Sequence, residues 1–264
     1  MPAWWEVLLL GLVQGLTEFL PISSSGHLVL AQRLLGVASP GVGLEVVLHA
    51  GTLAAVVVHY RKDLARLVAA GLRVAATGGR DRSDGAGEIL RLAVATLPVA
   101  VAGLLLSGLV TALFQDARWA AAFLLVTGSL LLSTRWYPRG ERPIGLPGAA
   151  WIGIFQAVSL LPGISRSGAT ISAGLMMRAD AREAARFSFL LSIPAILGAV
   201  VLKLPEVAAT ASSGSGAAFA GGFLVAGLSG YAAIAALLKL LKRGHMAPFG
   251  VYCLAAGAAA LLLV

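Results

Sequence analysis

The chain has 264 residues, 58% of them hydrophobic and 12% charged, with a mean hydropathy of +0.89. A soluble domain carries roughly twice that share of charge, so the composition excludes a soluble globular protein and implies a polytopic membrane protein. The net charge of +8 does not point to nucleic acid, because the basic residues fall in connections between apolar segments, and the single cysteine, Cys253, leaves no intrachain disulfide to be made.

In chain order, the first apolar stretch, 4–36, contains no Lys or Arg before Arg33, so it is expected to be retained and not cleaved as a signal peptide. It is interrupted by Pro21 and the run Ser23, Ser24, Ser25, Gly26. Proline removes a backbone donor and serines compete for backbone bonds, so no continuous helix is expected there. Apolar runs near 41–60, 89–113, 117–135, 183–203, 217–241 and 246–264 each suffice to cross about 30 Å of hydrocarbon, which takes roughly 20 residues. A second interrupted stretch, 147–178, breaks at Pro162, Gly163 and Ser165 to Gly168. Non-helical backbone at membrane depth is tolerated only against protein or a cavity, so both interrupted stretches are read as re-entrant hairpins whose breaks face each other. The expected fold is an all-α integral membrane protein with six transmembrane helices and two re-entrant helical hairpins, forming one membrane domain over 1–264. The only sizeable loop, 61–88, begins as an amphipathic surface helix, Asp63 to Val74, and ends in a Gly/Asp/Arg-rich tip.

Aligning Ser23 to Gly26 with Ser165 to Gly168 brings Gln14 over Gln156 after a one-residue offset. Each half then reads as a hairpin followed by three spans, about 1–136 and 147–264, and an odd number of spans inverts the second copy. On that topology the basic residues at 61–91, 135–142, 178–186 and 239–243 share one side, while Arg33, Arg118 and Lys203 lie on the other. The crowded side is cytoplasmic by the positive-inside rule, which places both termini outside. Trp4, Trp5, Trp119, Trp136 and Trp151 lie at segment ends as interfacial anchors, as do His59 and His245, and Gly222, Ala226 and Gly230 form a small-residue packing face.

Ionisable groups inside apolar segments mark functional sites. Gln14 and Glu18 share a helical face, Ser24 is a candidate nucleophile, His27 a candidate base or acid, and Arg166 a phosphate ligand. Ser23, Ser25, Gly26, Ser165, Ser167 and Gly168 lie at the starts of two half-helices, whose free N–H groups hold anions. With the arginine fork these suit a diphosphate, and the set has the parts of a phosphoryl-transfer centre. Glu45, His49 and Gln156 are expected in supporting positions, and Glu18 can bind a divalent cation.

QGLTEFLPISSSGH at 14–27 and PGISRSG at 162–168 resemble the two signature segments of undecaprenyl-diphosphate phosphatases of the BacA/UppP family, and the similarity runs through LEVVLHAGTLAAVV at 44–57 and FSFLLSIP at 187–194. The resemblance implies a bacterial inner-membrane enzyme. It removes the terminal phosphate of a C55 polyprenyl diphosphate to regenerate the carrier for peptidoglycan synthesis, which confers bacitracin resistance. The family's (Glu/Gln)-x-x-x-Glu element falls on Gln14 and Glu18, its serine and histidine on Ser24 and His27, and its arginine on Arg166. Magnesium or calcium dependence is implied too, with Gln14 a weaker ligand than a carboxylate. Two mechanisms remain open: attack by Ser24 with His27 taking its proton, or attack by activated water. A lipid-phosphate flippase or anion transporter is the alternative on architecture, since inverted repeats with broken helices also mark transporters. An intramembrane serine protease ranks last, because GISRSG lacks G-x-S-x-G spacing.

Overall fold

The computed structural model describes residues 3–35, 42–81, 83–138, 140–210, 216–241 and 246–263. Among these the chain is all-helical: α1 (Trp4–Phe19), α2 (Ser24–Leu35), α3 (Val42–His59), α4 (Arg61–Ala76), α5 (Asp84–Leu105), α6 (Ser107–Phe114), α7 (Ala117–Ser133), α8 (Leu146–Val158), α9 (Arg166–Met176), α10 (Ala181–Thr210), α11 (Gly216–Leu241) and α12 (Ala247–Leu263). Four helices are long and apolar enough to cross a membrane, α5, α7, α10 and α11, and the pair α3 with α4 makes a fifth if counted together. That pair bends by 82° at Tyr60, so α4 leaves the direction of α3. Arg82, Arg139, Lys242, Arg243 and His245, used above for orientation and anchoring, lie outside the described residues, as do 36–41 and 211–215.

Two boundaries differ from the expected ones. The run 89–113 is divided at Leu106 into α5 and α6, and Asp84 to Glu88, expected in a loop tip, already form the first turns of α5. Local capping explains the early start, because the Ser83 hydroxyl accepts from the Ala86 N–H, as N-cap serines do. Both interrupted stretches are broken as expected, between Phe19 and Ser24 and between Val158 and Arg166.

Packing relies on small residues. α1 packs on α11 and α8 on α5, while α3 packs on α10 and α11, and α7 on α12. A Cβ added at Gly15 would lie 1.9 Å from Ser229 Oγ and 2.5 Å from the Ala226 carbonyl, so only glycine lets α1 approach α11 this closely. Since Gln14 and Glu18 flank Gly15, this contact sets the position of the polar face of α1. Phe19, Phe187 and Phe189 are almost fully buried in one apolar cluster, with Phe19 edge-on to Phe189 at 5.5 Å.

On one side of the bundle, α4, α5 and α10 are tied by ion pairs. Arg186 donates to Asp63 at 3.0 Å, Glu88 at 2.6 Å and Glu183 at 3.2 Å, and Arg66 also pairs with Glu88. Glu88 is buried, which is tolerable because two guanidinium groups meet its carboxylate.

Candidate active site

The two breaks meet. Ser25 Oγ accepts from the Gly163 N–H at 3.4 Å, and Ser167 Oγ donates to the Leu20 carbonyl at 3.2 Å. Thr127 of α7 secures the second break by donating to the Gly163 carbonyl at 2.8 Å and accepting from the Ser165 N–H at 3.0 Å. Gly163 has φ of 94°, and a Cβ there would stand 2.2 Å from the Ala120 carbonyl, so both backbone shape and space demand glycine.

The half-helices α2 and α9 begin alike. Ser23 Oγ accepts from the Gly26 N–H at 3.2 Å and Ser165 Oγ from the Gly168 N–H at 3.0 Å. The hydroxyls of Ser23 and Ser25, and of Ser165 and Ser167, each lie 3.3 Å apart. One difference is that Ser23 has φ of 71°, a left-handed conformation that costs a non-glycine residue roughly 1–3 kcal/mol. That turn aims the next side chain, Ser24, back at α1.

Glu18 is the hub. Its Oε2 accepts from Ser24 Oγ at 2.7 Å and from Gln14 Nε2 at 2.9 Å, while its Oε1 accepts from Arg166 Nη2 at 2.6 Å. His49 Nε2 lies 3.7 Å from the same Oε2. Glu18 is only 7% exposed, and a buried carboxylate without such partners would be costly by several kcal/mol. Arg166 is held from its other end by the Ser188 carbonyl, 3.3 Å from Nη1, and Ser188 in turn shares a 2.6 Å hydrogen bond with Thr170. Ser24 and His49 are half-buried, which marks the accessible side of the cluster.

The expected residues therefore divide. Gln14, Glu18, Ser24 and Arg166 converge, and His49, expected as a support, points its ring at the central carboxylate. His27, expected to take the Ser24 proton, is turned elsewhere. Its Nδ1 donates to the Ser23 carbonyl at 2.7 Å, which leaves Nε2 to accept from Tyr252 Oη of α12 at 2.8 Å, and the two rings stack 5.6 Å apart. The Ser24 hydroxyl reaches Glu18 directly. Glu45 is engaged by Gln32 at 3.3 Å, with its carbonyl holding His49 Nδ1 at 2.8 Å. Gln156 is buried, and among the described residues no partner reaches either polar atom of its amide. Thr127, Ser188 and Tyr252 were not anticipated; their signal is a hydroxyl within an apolar helix, which is too common to single out.

Comparison with known proteins decides the kinship. Residues 7–259 match the model of the family described as bacitracin resistance protein BacA. The chain belongs to the BacA family. It is 45% identical over 260 residues to the undecaprenyl-diphosphatase of Desulfosudis oleivorans, covering 94% of both chains. It is 44% identical over 269 residues to that of Rubrobacter xylanophilus and 41% over 262 to that of Korarchaeum cryptofilum, each comparison covering 98% of both chains. The BacA family match spans both breaks and every residue bonded to Glu18.

Magnesium or calcium is expected from the resemblance, and the residues around Glu18 test that expectation. Gln14 Oε1 is buried with no donor among the described residues, but the Gln14 amide turns its N–H toward Glu18 Oε2, so it presents a donor and not a second hard oxygen beside the carboxylate that magnesium would take alongside substrate phosphates. The donor set fits such an ion only in part. Among the described residues no cluster of three or more His, Cys, Asp or Glu side chains forms a protein-only metal cage.

Proposed function

We propose that this BacA-family membrane protein hydrolyses undecaprenyl diphosphate to undecaprenyl phosphate and inorganic phosphate at the Glu18 cluster. The observation that carries the site is that one buried carboxylate receives a serine hydroxyl on one oxygen and an arginine on the other. The activity follows from membership of a family whose relatives bear that name across the full chain length.

The geometry supports a serine mechanism. Ser24 Oγ attacks the terminal phosphorus and passes its proton to Glu18 Oε2, already at hydrogen-bond distance, while the lipid monophosphate leaves. Protonation removes the charge that held Arg166, so the guanidinium is released to the transferring phosphoryl oxygens as negative charge builds on them. N–H groups at the starts of α2 and α9 add to the same stabilisation. Protonated Glu18 then returns its proton to Ser24 Oγ as water attacks the phosphoserine and inorganic phosphate departs. His27 acts as a strut: its bond to the Ser23 carbonyl fixes the strained turn that presents Ser24. Glu18 would be the protein ligand of a divalent cation, which would supply charge neutralisation on the diphosphate.

For the architecture we propose six spans with two re-entrant hairpins in inverted repeats, about 1–136 and 147–264. Its support is the exchange pattern of packing, since α1 on α11 and α8 on α5 become each other when the halves are swapped. The basic faces then lie in the cytoplasm, both termini lie outside, and the first hairpin opens outward, where spent carrier is left. Phosphate release from long-chain prenyl diphosphate by the purified protein tests the function. Ser24→Ala abolishes it while sparing any lipid transport, which separates a phosphatase from a flippase.

A further inference from the structure

We infer that α4 is a docking surface for the headgroups of anionic phospholipids in the bilayer that holds the protein. The inference does not depend on the phosphatase reading, because the α4 residues it uses make no hydrogen bond or ion pair with Gln14, Glu18, Ser24, His49 or Arg166.

Three rows run along α4. Leu67 and Ala70 are buried, and with Asp63 they form the row that is tied to the rest of the bundle. A second row, Ala65, Val68, Leu72 and Ala76, is spaced every three or four residues and faces outward, with Val68 63% and Leu72 68% exposed. The third, Lys62, Arg66 and Arg73, follows the same spacing one residue along and is also exposed. A helix with an apolar flank beside a basic stripe, standing off from a transmembrane neighbour at 82°, has the form of an element lying in the interface plane.

Charge decides the occupant. The one acid of α4, Asp63, is already consumed by Arg186, and Arg66 is held by Glu88. Arg73 reaches Asp81 only at 3.4 Å with its side chain 54% exposed, and Lys62 forms no ion pair with any described residue. Arg61 sits at the start of the same exposed surface. The charges left over are therefore positive, next to apolar side chains with nothing to cover them in the monomer. Anionic headgroups above an acyl layer complement both features, whereas water complements only the first.

The test uses the full chain in nanodiscs of phosphatidylcholine, with or without phosphatidylglycerol, in a Cys253→Ala background carrying a nitroxide at Leu72→Cys or Lys62→Cys. The expected result is that the label at 72 is relaxed more by oxygen than by a water-soluble nickel chelate, the label at 62 shows the reverse, and phosphatidylglycerol deepens the contrast. In mixed membranes the protein retains phosphatidylglycerol preferentially. Each basic residue near an acidic surface contributes a factor of about five, so Lys62→Gln with Arg73→Gln lowers that preference by roughly 25-fold. A label at 72 as open to the nickel chelate as that at 62 overturns the inference, as a surface kept free for a soluble protein would produce. Immersion without any preference for the anionic lipid, or a preference untouched by the double variant, overturns it too.

Discussion

Replacing Glu18 by glutamine keeps the shape of the hub and removes its charge. The amide offers one oxygen where the carboxylate offers two, and in this site those two oxygens serve Ser24 at 2.7 Å and Arg166 at 2.6 Å. If the oxygen stays on Arg166, the NH₂ faces Ser24 and has no lone pair for its proton; if the amide flips, the NH₂ faces a guanidinium that also only donates. Loss of a positioned base costs about 10²- to 10⁴-fold in rate, equivalent to roughly 3–5 kcal/mol of barrier. The fold loses one charge-assisted hydrogen bond, about 1.5–3 kcal/mol, which lowers the melting temperature without unfolding the bundle. Phosphate release from undecaprenyl diphosphate at saturating substrate, read beside a thermal melt in the same detergent, measures both. A Glu18→Gln protein that melts cooperatively and keeps kcat within about fivefold of the parent would show that Glu18 does not take the Ser24 proton.

Four further outcomes follow from the same contacts. His27→Ala lowers kcat by only about tenfold, against 10³-fold or more for Ser24→Ala, because the histidine supports the turn and does not take the proton; equal losses in the two kinetic assays would restore His27 as the base. Arg166→Lys, which cannot form a planar fork, retains folding but loses about 10²-fold in kcat/KM, and recovery of full activity by lysine would remove the bidentate role. Gly15→Ala pushes α1 off α11 and costs about 1–3 kcal/mol, read as a lower melting temperature with reduced activity; an unchanged melt contradicts the close approach. Arg186→Ala leaves buried Glu88 with Arg66 as its remaining partner and destabilises by about 1–3 kcal/mol without touching the Glu18 cluster, so its melt falls while the KM of the folded protein stays unchanged.

Sequence alone determined the class, the two breaks and most of the candidate residues that gather at Glu18. Proline, glycine and serine runs in apolar stretches have a local cause, since they stop a helix wherever they occur, and Glu18 or Arg166 in such a stretch announces itself by its cost in hydrocarbon. Tertiary structure decided who touches whom. Ser24 and His27 are three residues apart on one half-helix, and nothing local says which of them meets Glu18. The left-handed turn at Ser23 sends Ser24 to α1, and Tyr252, 225 residues further along, draws His27 to α12. His49 entered the cluster for the same reason, through packing of α3 beside α1. Helix breaks and charge in an apolar segment are readable residue by residue, because their energies are local. The pairing of hydroxyl, carboxylate and guanidinium depends on glycine contacts and strained backbone that bring distant helices together, and only the folded chain fixes those.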